Sequence, residues 1–278
     1  MCGLHRREGW TVPFDSITVL VFETSVDSRS RTECCMCGRY ALDLGGAELA
    51  ELMGCLDGTE GAFTARWNIA PSLVAPIMVA SPGGSPRLDL ARWGIVPPWR
   101  HDEDPGRPLI NARAETVFEK PAFRSAARTS RCVVPARVFY EWRRSGRRRE
   151  PFAIGRGDEA LMCFAGILER GGSAPGFAIL TTEANPTIAG IHDRMPVLLD
   201  AANVVEWLEH RAEDDEDIEA ETRLTRLLNP APVDLLTIRP VGDRVNDVRH
   251  DGPDLLDPPV RDDGLFGPLG CSDDPDSG

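Results

Sequence analysis

From residue 74 to residue 181 the chain is a succession of short apolar runs, each stopped by glycine, proline or a polar turn. Residues 74–80, 87–93, 132–134, 138–142, 152–154, 161–167 and 177–181 have the length and composition of strands. With 26 Gly and 23 Pro in 278 residues, turns recur too often for a helical bundle. Helical spacing shows in four places. Residues 46–54 place Leu49, Leu52 and Met53 on one face, and residues 121–128 form a short helix opening on Pro121. Asp200 caps a helix carrying Val204, Trp207 and Leu208, and Leu224, Leu227 and Leu228 mark another. Residues 233–238 form a last strand. The expectation is an α+β fold: a mixed, mostly antiparallel, curled and barrel-like sheet with short flanking helices.

Three segments differ in character. Residues 1–35 lack a periodic element and are read as an extension, either translated from a wrongly assigned start or removed. Residues 36–245 are read as the working domain. Residues 246–278, rich in Asp, Pro and Gly, are read as an acidic, disordered tail. No run of about 18 apolar residues exists, so no spanning helix is expected. Arg6 and Arg7 precede an apolar stretch, residues 17–22, too short for a secretory signal. The eight cysteines show no spaced disulfide framework, so a reduced, cytoplasmic location is expected. No ligand set is clustered for a metal and none is expected, nor is a cofactor; the chain is read as a monomer.

Net charge is −13, which at first argues against a nucleic-acid partner. The distribution changes that. Residues 87–149 carry 15 Lys/Arg against 7 Asp/Glu, whereas residues 200–278 carry 7 against 21. A basic groove can therefore sit inside an acidic protein. The run Arg143-Arg144-Ser145-Gly146-Arg147-Arg148-Arg149 reads as a hairpin tip, open to backbone phosphates or merely solvated.

Chemistry concentrates in four stretches. In Met36-Cys37-Gly38-Arg39-Tyr40, translation from Met36 followed by loss of that methionine makes Cys37 the first residue. An α-amine has a pKa of about 7.7–8.0 against about 10.4 for lysine, so much of it is nucleophilic at neutral pH. It can form a Schiff base with an aldehyde, and the thiol on the same residue can close a five-membered ring. An incidental buried cysteine, or a Cys34-x-x-Cys37 dithiol, fits the same letters. Glu141 lies between Tyr140 and Trp142 on a strand, so alternation turns it away from both aromatics. In a poorly solvated site its carboxyl would gain a raised pKa; a surface glutamate flanked by core aromatics is the other reading. His192 sits in Ile191-His192-Asp193-Arg194-Met195-Pro196, a loop setting suited to acid–base work or to bonding a backbone carbonyl. Asn111-Ala112-Arg113 offers an amide to orient a hydroxyl and a guanidinium for a phosphate, or a cap and a salt bridge. Trp67, Trp93, Trp99 and Trp142 lie in or near the basic region. Trp99, after Pro97-Pro98, is the best placed to stack on unpaired bases.

Together these stretches resemble one family, the SOS-response-associated peptidase (SRAP) proteins that process abasic sites in DNA. The resemblance rests on MCGRY at 36–40, WNIAPS at 67–72, RWGIVPPW at 92–99, INARAET at 110–116, RCVVPA at 131–136, FYEW at 139–142 and IHDRMP at 191–196. It implies that Cys37 attacks the ring-opened aldehyde of an abasic site in single-stranded DNA and forms a thiazolidine DNA–protein crosslink. It further implies Glu141 as acid/base carboxyl, His192 as assisting imidazole and Asn111 as site amide. Arg39 and Arg113 would contact phosphates, with Trp99 and Trp142 beside the DNA. The peptidase label implies self-removal of residues before the cysteine. The extension is the departure: with it retained, the Cys37 nitrogen is an unreactive amide. Translation from Met36 is the simpler resolution, and cleavage of the Met36–Cys37 bond is the other. A Cys/His peptidase acting on other proteins and a non-covalent single-strand-binding module are the alternative functions.

Overall fold

The computed structural model describes residues 37–81, 84–97, 107–171, 174–209 and 218–260. Residues 1–35, Trp99 and residues 261–278 lie outside the described residues.

Elements come in the short pieces that the punctuation demands. The first half runs β1 (Tyr40–Leu42), α1 (Gly46–Met53), β2 (Leu56–Asp57), β3 (Arg66–Ile69), β4 (Val74–Ser81), β5 (Gly84–Trp93), β6 (Asn111–Arg113) and α2 (Arg124–Thr129). The second half runs β7 (Arg131–Ala136), β8 (Val138–Ser145), β9 (Arg148–Arg156), β10 (Met162–Glu169), β11 (Gly176–Glu183), β12 (Arg194–Pro196), β13 (Leu198–Leu199), α3 (Ala201–Glu209), α4 (Ile218–Thr225) and β14 (Leu236–Pro240). Helix α1 stops where Gly54 takes φ 64° and its N–H returns to Glu51. Helix α3 starts where the Asp200 carboxylate accepts the Asn203 N–H at 2.8 Å, as the cap predicts. Helix α2 begins three residues after Pro121, because residues 121–123 are spent in a turn. No described helix is long and apolar enough to cross a membrane.

The α+β expectation holds. One sheet runs β14-β9-β8-β1-β3; the other runs β12-β11-β10-β7-β4-β5-β2, with β13 on β10 and β6 on β11. The second sheet closes on itself, since β11 also pairs in parallel with β5 at Gly176↔Arg92 and Phe177↔Trp93. Pairing from β11 through β10, β7, β4 and β5 thus returns to β11 and forms a barrel-like ring. The seam needs glycine: a β-carbon on Gly176 would stand 2.6 Å from the Gly94 carbonyl oxygen. Trp93 stacks on Phe177 there at 6.3 Å, with Tyr40 edge-on to Trp93 at 5.2 Å.

Strand β1 joins two cores. Tyr40 and Leu42 face the main core, and Ala41 faces a smaller one with Val138, Tyr140, Ala153, Val241, Val245 and Leu255. That smaller core corrects the domain boundary expected at residue 245. Residues 246–260 are folded against the sheet, with Leu255 buried in a single 3-10 turn (Pro253–Leu256). Strand β3 is an edge, and Asp251 covers it: its carboxylate accepts the N–H groups of Trp67 (2.6 Å) and Asn68 (3.1 Å) and pairs with Arg66. The Asn68 amide then donates to the carbonyls of Asp247 (3.0 Å) and His250 (2.8 Å). Aspartate and proline here serve caps and turns.

Candidate active site

The antiparallel register of β1 and β8 builds the centre of the site. Tyr40 lies opposite Phe139 and Ala41 opposite Val138. Carried back along the chain, that register brings Gly38 and Cys37 alongside Glu141 and Trp142. The Cys37 N–H donates to Glu141 Oε1 at 2.7 Å, and both residues are buried. Burial raises the Glu141 pKa to about 8; hydrogen bonds from the Cys37 and Trp142 N–H groups oppose the shift, and the charge of Asp193 adds to it. The carboxyl therefore holds a proton at neutral pH while touching the cysteine nitrogen. Burial, then the nearby Glu141 charge, pushes the Cys37 thiol well above its ordinary pKa. Cys37 itself has φ 37°, the left-handed region that a residue with a β-carbon avoids.

His192 reaches the site from the turn before β12, and the effect of Asp193 on Glu141 places this turn near the carboxyl. His192 is buried, and its Nδ1 accepts the Arg194 N–H at 3.0 Å, which leaves the proton of a neutral ring on Nε2. Asp193 Oδ1 stands 2.9 Å from the same Nδ1 and favours the charged ring, but Asp193 is solvated. Burial is the larger effect and lowers the His192 pKa, so the imidazole is neutral. Asn111 is half-buried on β6, opposite Ile179 of β11. Strand β12 pairs with the same end of β11, Thr181↔Pro196 and Glu183↔Arg194, so Asn111 and the His192 turn flank one strand.

Two residues inside the quoted motifs, Glu115 and Arg194, carry a larger share of the geometry than their letters suggest. Arg194 is buried and grips Glu115 with two bonds, 2.6 and 2.8 Å, and donates to the Thr181 carbonyl at 2.6 Å. This fork–fork pair ties the His192 turn to the 3-10 turn (Ala114–Thr116) that follows β6. Hydrogen bonding from Arg194 lowers the Glu115 pKa. The signal in the sequence is an acidic and a basic residue, each two positions from a candidate site residue (Arg113 and His192); their pairing is non-local. Tyr40 is the other residue missed, with its hydroxyl buried close enough to Cys37 for their charges to interact.

The expected DNA-contacting residues divide. Arg113 is exposed. One Nη of Arg39 donates to Asn68 Oδ1 (2.7 Å) and the Val245 carbonyl (2.8 Å), and the guanidinium lies over the Trp142 ring at 5.9 Å. Trp142 is half-buried and its Nε1 donates to Asn246 Oδ1 at 2.7 Å. Trp142 is thus held directly by the segment first read as a tail, and Arg39 through Asn68, whose amide that segment accepts. Among the described residues no group of His, Cys, Asp and Glu could hold a metal ion.

A ring-closed α+β sheet thus holds a buried cysteine nitrogen against a carboxyl of raised pKa, with the His192 turn near it. The chain belongs to the SOS response associated peptidase (SRAP) family, whose profile matches residues 36–248. Abasic site processing protein YoqW of Bacillus subtilis (strain 168) is 35% identical over 230 residues, covering 80% of this chain and 99% of that one. Abasic site processing protein HMCES of Gallus gallus is 28% identical over 270 residues, covering 80% of this chain and 78% of that one. In fold, a solved protein from Bacteroides thetaiotaomicron superposes with TM-score 0.67 at 24% identity, covering 81% of this chain and all (100%) of that one.

Proposed function

We propose that the protein processes abasic sites in single-stranded DNA by bonding covalently to them through Cys37, as part of a DNA-damage response. The observation that carries this reading is the 2.7 Å contact between the Cys37 nitrogen and a carboxyl whose pKa is about 8. The chemistry needs that nitrogen as a free amine. The amine attacks the C1′ aldehyde of the opened sugar to give a carbinolamine, and Glu141 protonates the departing hydroxyl, so that water leaves and an imine remains. The thiol then adds across the imine: sulfur bonds to carbon, its proton goes to nitrogen, and a thiazolidine closes. A thiol that is protonated at neutral pH suits this order, since it acts second. Neutral His192 serves proton transfer to and from the sugar ring oxygen during opening, and Asn111 orients the sugar hydroxyl. Arg39, Arg113 and Trp142 line the path of the strand, with Trp99 assigned to stack on its bases from the sequence alone.

The same contact supports self-processing where residues precede Cys37. The thiol attacks the Met36 carbonyl, the carbon–nitrogen bond breaks, and Glu141 delivers a proton to the departing nitrogen it already touches. Water then hydrolyses the thioester and restores the thiol. The left-handed φ of Cys37 stores about 1–2 kcal/mol that vanishes once no residue precedes it.

The test is incubation with an abasic-site oligonucleotide followed by a denaturing gel. A shifted band is expected from protein whose first residue is verified as Cys37, and none from Cys37→Ala or from protein with its α-amine acetylated. An acetylated protein that still crosslinks would overturn the reading.

A further inference from the structure

We propose that the β8–β9 hairpin is a phosphate-binding arm that carries the single-stranded DNA track outward from the Cys37–Glu141 site, an inference that rests on the function proposed above. The seven residues 143–149 hold five arginines and no acidic residue, in a chain of net charge −13. A two-residue turn, Gly146-Arg147, joins the strands, with Gly146 at φ 61° as a tight hairpin turn requires. The register sets Arg144 directly opposite Arg149 and Ser145 opposite Arg148. Like charges facing each other weaken a ladder, and acidic residues do little here to offset them. Arg143 pairs with Glu150 at 2.8 Å and lies over the Phe152 ring. Arg148 reaches only Asp243, at 3.7 Å with both side chains mostly in water, too loose to hold the charge. Arg144, Arg147 and Arg149 have no acidic partner among the described residues.

Position converts this excess charge into a surface. Alternation along β8 turns Glu141 inward and puts Trp142 and Arg144 on the other face, where Arg39 already lies over Trp142. Cations thus follow one another from Arg39 through the Arg144/Arg149 pair to Arg147 at the turn. Steps of two residues are about 7 Å along a strand, comparable to the spacing of phosphates on an extended nucleic-acid strand. Guanidinium forks match phosphate oxygens in pairs. A polyanion crossing the hairpin would neutralise the Arg144/Arg149 repulsion that the fold otherwise carries.

The test uses the full 278-residue chain and a single-stranded oligonucleotide bearing a tetrahydrofuran abasic analogue, which has no aldehyde and forms no adduct. Binding is followed by fluorescence anisotropy between about 50 and about 200 mM salt. Replacing Arg144, Arg147 and Arg149 together with glutamine is expected to flatten the slope of log K against log salt by about 2, since each single-strand phosphate contact contributes about 0.7. Arg147→Gln alone, on the turn and free of ladder effects, is expected to flatten it by about 0.7. The triple variant is expected to melt no lower than wild type. Unchanged slopes in both variants, or no binding by wild type, would overturn the arm. Parallel incubation with a true abasic site, using wild type whose first residue is verified as Cys37, separates the two readings. Hairpin-dependent slopes without an adduct keep the arm and remove the crosslinking; an adduct with unchanged slopes does the opposite.

Discussion

Glu141 on β8 places a carboxyl oxygen 2.7 Å from the nitrogen of Cys37, which lies just before β1, the strand paired antiparallel to β8. Burial raises that carboxyl's pKa to about 8, close to the about 7.7–8.0 of a free α-amine. With Cys37 as the first residue, the proposed reaction would find its amine and its proton donor at this one contact.

A bell-shaped pH dependence of adduct formation follows. The rate rises as the amine loses its proton and falls as Glu141 loses its own, with a maximum near pH 8. Glu141→Gln keeps the hydrogen-bond acceptor and loses the acid. Its rate is expected to drop by about 10²–10⁴ and its alkaline limb to disappear. Single-turnover kinetics across pH measure both.

The same carboxyl opposes folding at high pH. Unfolded, it ionises near about 4.3, whereas folded it keeps its proton to about 8. The native state therefore binds more protons over that interval, and stability falls as pH rises through it, by at most about 1.4 kcal/mol per pH unit. Glu141→Gln escapes this. Calorimetry is expected to show its Tm advantage over wild type growing from near zero at about pH 4 to a maximum above about pH 8; a constant difference would count against the raised pKa.

The Glu115–Arg194 pair behaves in the opposite sense. The lowered Glu115 pKa means that its contribution is present above the ordinary carboxylate value and is lost as pH falls through the depressed one. Because Glu115 is partly exposed while Arg194 is buried, Glu115→Gln is expected to cost about 1–2 kcal/mol at neutral pH and little in acid. Adduct formation should slow as well, since the His192 turn loses its tie to β6. Urea unfolding at two pH values checks the first expectation, and unaltered adduct kinetics would contradict the second.

Asp251 fastens the strap of residues 246–260, which holds Trp142 through Asn246 and Arg39 through Asn68. Asp251→Ala removes the acceptor of two edge-strand N–H groups and the partner of Arg66. It is expected to destabilise the fold by about 2 kcal/mol. Salt-sensitive DNA binding should weaken with it, as Arg39 loses its support from Asn68. Chemical denaturation and anisotropy report the two effects separately.

The fold was legible wherever signals were local. Short apolar runs between glycines and prolines become strands, the Asp200 cap starts α3, and alternation about Tyr140 and Trp142 turns Glu141 inward. The remainder depends on partners far apart in the chain. Closure of the ring joins β5 to β11 in parallel, and Arg194 meets Glu115 across 79 positions. The strap was misread because Asp, Pro and Gly compose disordered tails and tight caps alike. What separates the two is an uncovered strand edge, Trp67–Asn68, lying 184 and 183 positions away from Asp251.

The most direct measurement is peptide mass analysis of the protein–DNA adduct after digestion of both polymers. The account predicts a peptide beginning at Cys37, carrying the sugar remnant with the mass of one lost water, and with neither its amine nor its thiol open to labelling. A remnant on any other residue, or on Cys37 still joined to Met36, would contradict it.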